Sequence, residues 1–277
     1  MILKMKVFLW SSFASLVAVL GFSGCGPKKE VQKLTLTGSS TVAPLIADIA
    51  KRFEEEHSGI RISVQTGGSS RGISDAGSGL ADIGMASREL KSGEEGLVAT
   101  RIAVDGVALI SHAENPVEEL SHEQILAIYR GEIQNWKELG GQDQEIVVVN
   151  KAEGTGTLEV FLKHLQLDSA DVKSDLIVGE NQQAIKTVAG NKNAIGYVSI
   201  GAAEYEAEHG VPIHLMTVDG VQPTSKTVAD GTYAISRPLL LITKGAPSGL
   251  AERFIEYAQA AKVRDLVEDH LYVAIAN

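Results

Sequence analysis

The sequence predicts an α/β protein in which helices cover a largely parallel sheet, and two observations support this fold class. Short apolar stretches typical of strands alternate along the chain with stretches whose apolar residues recur at helical spacing. Apolar residues make up 44% of the chain and charged residues 22%, which is typical of a globular protein with a hydrophobic core. Alternation of this kind favours parallel strand pairing with helices packed on the sheet.

The first half of the chain alternates short strands with two helices. In the second strand Ile60, Ile62 and Val64 alternate with polar residues, and the fourth strand is almost continuously apolar, as expected where both faces are covered. From Val42 onward apolar residues recur every three or four positions, which predicts an amphipathic helix. Strands are predicted at 34–37, 60–65, 81–87 and 104–110, and helices at 42–53 and up to about residue 78.

The second half continues the same alternation. Ser121 is a suitable N-cap for one helix, and another helix follows the turn at 154–157 with Leu158, Phe161, Leu162 and Leu165 on one face. Strands are predicted at 146–150, 194–199 and 238–243, and helices at 121–129, after 157, at 181–190 and at 249–262.

The first residues are typical of a leader peptide and not of the folded domain. Lys4 and Lys6 precede an apolar run from Val7 to Phe22, and small residues stand just before Cys25. The run is shorter than the ~20 residues of a spanning helix, so we expect residues 1–24 to be a cleaved signal and 25–33 a tether. The pattern resembles a bacterial lipoprotein signal, in which the cysteine carries the lipid. An uncleaved anchor helix with an incidental cysteine is the alternative.

The charge and the cysteine content exclude several classes of function. The formal net charge is -10, which argues against nucleic-acid binding because such binding depends on Lys and Arg. A single cysteine excludes a structural disulfide and a cysteine-based zinc site within the chain. If an anion binds to so acidic a chain, local dipoles and hydrogen bonds must hold it, since long-range attraction does not.

Three turns have the composition of an oxyanion site. Turns rich in Gly, Ser and Thr occur at 38–41, 67–72 and 154–157, and each separates a predicted strand from a predicted helix. A helix N-terminus offers unpaired N–H groups and partial positive charge, and hydroxyl groups add donors. Arg88 and Lys151 lie close to these turns and supply positive charge. A single turn of this type is usually only a helix cap, so the prediction rests on their combination.

Enzyme motifs are poorly supported. The turn at 154–157 lacks the lysine and the spacing of a nucleotide P-loop, the glycines at 67, 68 and 72 do not fit a dinucleotide fingerprint, and no His-Glu-x-x-His pair occurs. A Ser-His-Asp triad stays open, because its members need not be adjacent in sequence. We expect no enzyme activity, no cofactor and no metal.

An ordered set of motifs resembles the phosphate-specific binding proteins of bacterial ABC transporters, in their shorter form. The resemblance covers residues 34–275, nearly the whole mature chain. The segments that carry it are 38–44, 67–72, 82–88, 135–136, 151–157, 194–198 and 236–238.

This resemblance implies a two-lobed periplasmic-binding-protein fold with a ligand cleft between the lobes. It suggests a discontinuous first lobe, 34–112 plus 235–277, and a second lobe, 113–234. The residues that it and the neighbouring charges indicate as phosphate-binding are Ser40, Thr41, Ser69, Ser87, Arg88, Asp105, Lys151, Thr155, Gly156 and Thr157.

Two positions depart from the family pattern. Lys151 stands where an arginine is common, and lysine offers a point charge in place of a planar fork. Arg88 lies near the position where longer relatives carry an aspartate that accepts the proton of phosphate. Asp105 is the candidate for this acceptor, which would reject sulfate because sulfate carries no proton.

The function implied is capture of inorganic phosphate outside the cytoplasmic membrane for an ABC importer. The implied partners are the permease subunits and, through a lipid on Cys25, a membrane; the chain would be a monomer located in the periplasm or on the outer face of the cell membrane. A receptor for sulfate, molybdate or tungstate is the alternative within the same class. A phosphoester hydrolase or an adhesin on the same fold is the alternative from another class.

Overall fold

The structure is a computed structural model that describes residues 31–275, so the predicted signal, Cys25 and most of the tether lie outside the described residues. The strands are β1 Gln32–Gly38, β2 Ile60–Thr66, β3 Ile83–Ala86, β4 Leu97–His112, β5 Glu119–Leu120, β6 Val147–Lys151, β7 Leu176–Val178, β8 Ala194–Ser199, β9 Ile213–Leu215, β10 Thr217–Val218, β11 Ser236–Lys244 and β12 Val273–Ala274. The helices are α1 Ala43–Glu56, α2 Ser69–Ser78, α3 His122–Tyr129, α4 Gly156–Leu165, α5 Asn181–Ala189, α6 Ile200–Glu208, α7 Ser225–Ala229, α8 Gly249–Gln259 and α9 Arg264–Asp269. The predicted α/β class is confirmed.

The long strand β4 links two groups of strands into one hydrogen-bonded path. The order of strands is β2-β1-β3-β11-β4-β8-β6-β7, with β9 and β12 also paired to β4. The first part of β4, residues 97–106, pairs with β11, and residues 107–111 pair with β8. The strand therefore leaves one group and enters the other without a break.

The largely parallel pairing that the sequence predicted holds only away from β4 and β11. Strand β1 pairs in parallel with β2 and β3, and β6 pairs in parallel with β7 and β8. By contrast, β11 runs antiparallel to both β3 and β4, and β4 runs antiparallel to β8. The difference arises because β4 carries the chain out of the first group and β11 returns it in the opposite direction.

Separate hydrophobic cores lie on the two sides of this connection. In one, α1 and α8 pack on β1, β3 and β11 through residues such as Leu36, Phe53 and Phe254. In the other, Tyr129, Phe161 and Trp136 belong to a cluster that includes residues of α3, α4 and β8. A further cluster joins α5 to β8. Each group of strands therefore has a hydrophobic core of its own.

Helix α2 lies unusually close to the strands beside it. A Cβ atom added at Gly72 would lie 2.5 Å from the carbonyl oxygen of Thr37 and 2.7 Å from that of Met85. These oxygens belong to β1 and β3, so a side chain at this position would push the helix away from both strands. This close packing fixes the first turn of α2, where Ser69 lies.

We expect Gly72→Ala to lower the free energy of unfolding by about 1–3 kcal/mol or more, because the added methyl group overlaps backbone atoms that cannot move aside. Gly77→Ala on the same helix is the control, since its Cβ would lie 3.6 Å from Leu97 and should be neutral or slightly stabilising. Urea unfolding of both variants measures the difference. Equal stability of the two variants would contradict this packing argument.

Candidate functional site

The buried side chain of Arg237 is the centre of the candidate site. Its Nε and Nη2 atoms donate to Asp105 Oδ2 at 3.1 and 2.9 Å. Nη2 also donates to Thr41 Oγ1 at 3.1 Å, and Nη1 donates to Thr157 Oγ1 at 2.8 Å and to Ser87 Oγ at 3.4 Å. A guanidinium has five N–H groups, and all five are engaged by these contacts. We call Thr41, Ser87, Asp105, Thr157 and Arg237 the arginine cluster.

The arginine cluster joins parts of the chain that are far apart in sequence. Thr41 lies just before α1, Ser87 directly follows β3, and Thr157 is the second residue of α4. Asp105 lies in β4 and Arg237 at the start of β11. The side chains of the central ion pair are 0% and 1% exposed, so water does not compete for their hydrogen bonds.

Serine hydroxyl groups extend the arginine cluster toward the helix starts. Ser39 Oγ accepts the N–H of Thr41 and donates to Ser87 Oγ at 3.0 Å. Ser69 Oγ accepts the N–H of Ser87 at 3.0 Å. All three serines are buried, so each hydroxyl is held in place by neighbours and is shielded from solvent.

The first turn of α4 approaches these serines closely. A Cβ atom at Gly156 would lie 2.6 Å from both Ser69 Oγ and Ser87 Oγ, which explains why glycine occupies this position. The N–H of Ser70 also donates to the carbonyl oxygen of Gly154 at 3.0 Å. The N-termini of α2 and α4 therefore meet, and two helix dipoles direct positive potential into the same region.

Helix α4 is held in this orientation by an aromatic stack. The rings of Phe161 on α4 and Tyr197 on β8 are stacked with centroids 3.8 Å apart. Both side chains are fully buried. The stack fixes the helix on the second group of strands, and this positions the N-terminus of α4 against Ser69 and Ser87.

A second buried cation, Lys151, acts through an amide. Lys151 Nζ donates to the carbonyl oxygen of Glu180 at 2.9 Å and to Asn181 Oδ1 at 3.3 Å. Because an ammonium group can only donate, Asn181 must direct its Nδ2 group the other way. That group donates to Thr41 Oγ1 at 3.1 Å, so Lys151 is connected to the arginine cluster through Asn181.

These contacts fix the direction of the Thr41 hydroxyl proton. Thr41 Oγ1 accepts hydrogen bonds from both Asn181 Nδ2 and Arg237 Nη2. A hydroxyl oxygen has two lone pairs, so both are occupied and its single proton is left to donate. Thr41 therefore presents a donor to any acceptor that enters the site.

The ionisation of Lys151 is weakened by its surroundings. Burial lowers its pKa, and the nearby Arg237 lowers it further, to about 7, although Glu180 opposes the shift. With Lys151 protonated, this lysine, Arg237 and Asp105 carry a net single positive charge. Such a buried set favours a bound anion, which would compensate the charge.

The structure brings together most of the residues that the sequence indicated. Thr41, Ser69, Ser87, Asp105 and Thr157 all lie in or against the arginine cluster. The backbone of Gly156 lies beside them. Lys151 does not contact the arginine cluster directly and is connected to it through Asn181. Their role as ligand-binding residues stays a prediction, but their convergence is what that prediction requires.

Three predicted residues do not direct their side chains at the arginine cluster. Arg88 is not directed at the arginine cluster, because its guanidinium is held by the carboxylates of Glu94 and Glu159. Thr155 turns its hydroxyl back to the carbonyl oxygen of Ala152 at 2.8 Å. Ser40 is half-buried, and among residues 31–275 its side chain has no hydrogen bond to the cluster.

Sequence reasoning missed Arg237, Ser39 and Asn181. Arg237 belongs to the motif at 236–238, but one arginine in a strand carries no sign of its burial or of its partners. Ser39 stands in the predicted first turn, but nothing in its sequence context distinguishes it from the neighbouring Ser40 and Thr41. Asn181 is the first residue of α5 and looks like an ordinary helix-start residue.

Comparisons with known proteins show what this chain is similar to. The profile of the PBP superfamily domain matches residues 26–262. Phosphate-binding protein PstS of Bacillus subtilis is 34% identical over 260 residues, which are 92% of this chain and 85% of that protein. Phosphate-binding protein PstS of Borreliella burgdorferi is 25% identical, over 91% of this chain and 93% of that protein.

Two solved structures share the fold. A substrate-binding protein from Clostridium perfringens with bound phosphate has a TM-score of 0.83 and 34% identity, covering 88% of this chain and 100% of that one. An ABC-type phosphate transport receptor from Vibrio cholerae has a TM-score of 0.73 and 31% identity, covering 87% and 100%. The two-lobed periplasmic-binding-protein fold predicted from the sequence is thereby confirmed.

The low pKa of Lys151 predicts a specific dependence of stability on pH. In the unfolded chain this residue titrates near ~10.4, whereas in the folded chain its pKa is about 7. Between about pH 7.5 and 9.5 the unfolded chain therefore holds one proton more, so Lys151 makes the free energy of unfolding rise with pH. We therefore expect the free energy of unfolding of the wild type to rise with pH more steeply than that of Lys151→Met, by about 1 kcal/mol per pH unit.

Urea unfolding across this pH range measures the two slopes. Lys51→Met, which alters an exposed lysine of α1, is the control and should keep the wild-type profile. Parallel profiles for wild type and Lys151→Met would show that this lysine titrates normally in the folded protein.

Proposed function

This chain is a member of the PBP superfamily and of the PstS phosphate-binding proteins within it, and from that membership we propose that it captures inorganic phosphate outside the cytoplasmic membrane and delivers it to an ABC importer. The observation that carries the proposal is the convergence of Thr41, Ser69, Ser87 and Thr157 on the buried Arg237–Asp105 pair. A tetrahedral anion needs several donors from different directions, and this arrangement supplies them.

Phosphate is held mainly by fixed donors. The Thr41 hydroxyl has its proton free to donate, and the first turn of α4 offers the N–H groups of Gly156 and Thr157. Ser69 adds a hydroxyl at the start of α2. Arg237 and Lys151 stabilise the negative charge from close by, which allows a protein of net charge -10 to bind an anion.

Asp105 remains the candidate for the acceptor that distinguishes phosphate from sulfate. Its Oδ2 atom is occupied by Arg237, but Oδ1 has only a long contact, 3.4 Å from the N–H of Gly201, among the described residues. Oδ1 therefore retains capacity to accept the proton that phosphate carries. Sulfate offers no such proton and would leave two acceptors facing each other.

Binding closes two lobes over the anion. We assign 34–112 with 235–277 to the first lobe and 113–234 to the second. The passage of β4 from one group of strands to the other supports such a division, although residues 107–111 of β4 already pair with β8 of the second group. Thr41 and Ser87 then belong to the first lobe and Thr157 to the second. An anion between them favours the closed population, because only the closed state offers all the donors at once.

The place of action and the partners follow from the same proposal. A lipid on Cys25 would hold the chain at a membrane, with residues up to about 33 as a tether, and the permease subunits of an importer would receive the phosphate. Within residues 31–275 no helix is long and apolar enough to cross a membrane. The protein acts as a monomer and as a binding protein without enzyme activity or cofactor.

Calorimetric titration of protein that has been unfolded and refolded to remove carried-over anion tests the function. We expect saturable binding of phosphate and binding of sulfate that is weaker by at least about 5- to 150-fold, because a buried acceptor meeting sulfate costs about 1–3 kcal/mol or more. Preference for sulfate, molybdate or tungstate would indicate a different oxyanion receptor. Turnover of a chromogenic phosphate ester would indicate a hydrolase.

Removing single hydroxyl groups tests the site. We expect Ser69→Ala and Thr157→Ala each to weaken phosphate binding by about 1–3 kcal/mol, because each loses a buried hydrogen bond. Thr157→Ser keeps the hydroxyl and should retain most of the affinity, and Ser74→Ala alters an exposed serine of α2 as a control. Wild-type affinity in both alanine variants would argue against this site.

A further inference from the structure

Glu159 on α4 makes contacts that the anion site does not use. Its Oε1 atom accepts from Ser70 Oγ at 3.2 Å, and its Oε2 atom lies 2.8 Å from Arg88 Nε and 2.5 Å from Lys91 Nζ. Glu159 belongs to the second lobe as assigned above, whereas its three partners belong to the first. One carboxylate therefore bridges the two lobes.

The first-lobe side of this bridge is rigid without Glu159. Arg88 forms a paired contact with Glu94, Nη1 to Oε2 at 2.9 Å and Nη2 to Oε1 at 2.8 Å. Glu94 also accepts the N–H of Lys91 at 2.7 Å. Arg88 is thus fixed on its own lobe, and its Nε lies 2.8 Å from Glu159 Oε2 in a charge contact whose N–H is not aligned for a hydrogen bond. Separation of the lobes therefore breaks the contacts of Glu159 and leaves the contacts of Arg88 with Glu94 intact.

Charge and burial favour this bridge. Burial by itself would lower the pKa of Arg88, but the carboxylates of Glu94 and Glu159 outweigh burial and raise that pKa. The side chain of Arg88 is 5% exposed and that of Glu159 is 18% exposed, so solvent screens their attraction only partly. Lys91 is 56% exposed and contributes less.

The bridge lies next to the anion site in the chain. Ser70 follows Ser69, Arg88 follows Ser87, and Glu159 comes two residues after Thr157. The same three segments therefore carry both the anion donors and the groups of the bridge. These charges also line a groove of about 820 Å3 between α4 and the loop after β3, at the outer side of the arginine cluster.

We propose that Glu159 is the positioning residue that holds the cleft closed, by pairing with Arg88 and Lys91 only when the two lobes meet over the anion. The inference rests on the proposed function, since closure matters only if the cleft holds phosphate. An interaction present only in the closed state slows release and leaves the encounter of phosphate with the open state unchanged. Arg88, which the sequence assigned to the ligand, serves closure in this arrangement.

The test compares the rate constants of phosphate binding and release in the full-length chain. We expect Glu159→Gln, which removes the charge and keeps the shape, to release radiolabelled phosphate about tenfold faster while its association rate stays within about threefold. Lys91→Met should accelerate release by a smaller factor, because this partner is exposed. Glu256→Gln, on the exposed face of α8, is the matched control and should release phosphate at the wild-type rate.

Added salt and stability separate closure from a general structural effect. Added salt should accelerate the release of phosphate from the wild type and change its release from Glu159→Gln only little. Without phosphate, the two proteins should unfold at similar temperatures. If Glu159→Gln released phosphate at the wild-type rate, the role of Glu159 in closure would be overturned and the proposed function would stand. The role in closure would also be overturned if Glu159→Gln unfolded at a clearly lower temperature than the wild type without phosphate, since the residue would then be merely structural. Failure of the wild type to bind phosphate would instead overturn the proposed function.

Discussion

The buried ion pair between Arg237 and Asp105 is the constraint on which the rest of the site depends. A guanidinium away from water is costly unless every N–H group has an acceptor, and a single carboxylate cannot supply five. The remaining acceptors are the hydroxyls of Thr41, Ser87 and Thr157, which come from three distant segments. Burying one arginine therefore requires that the turns before α1, after β3 and at the start of α4 meet.

This arrangement changes how positive charge is used to recognise an anion. Because the N–H groups of Arg237 are engaged by the protein, the arginine of the proposed site acts by orienting hydroxyls and by its charge. The proposal assigns the direct contacts with the anion to hydroxyl protons and helix N-termini. Lys151 has a similar indirect role, since it fixes the amide of Asn181 and thereby the Thr41 hydroxyl. A strongly acidic protein can thus hold an anion without an exposed basic surface.

Two layers of contact, one residue apart in the chain, connect binding with closure. The inner layer consists of Ser69, Ser87 and Thr157, and the outer layer of Ser70, Arg88 and Glu159. Neighbouring residues on one turn cannot move independently, so an anion that draws the inner layer together also brings the outer charges into contact. In this proposal the inner layer supplies the contacts with the anion, and the outer layer lengthens the lifetime of the bound state and thereby raises the affinity.

The sequence by itself determined the periodic elements and the turns. Strands such as β2 and β8 and helices such as α1 and α4 were found within a few residues, because apolar spacing reports directly which face is buried. The hydroxyl-rich turns were also recognised, since glycine and hydroxyl residues before a helix have a local physical meaning. Only the tertiary structure decided that β4 and β11 run antiparallel, that Arg237 and not Arg88 occupies the centre, and that Arg88 faces Glu159. Those outcomes depend on which distant acceptors surround a charge, and that information does not exist in any local stretch of the chain.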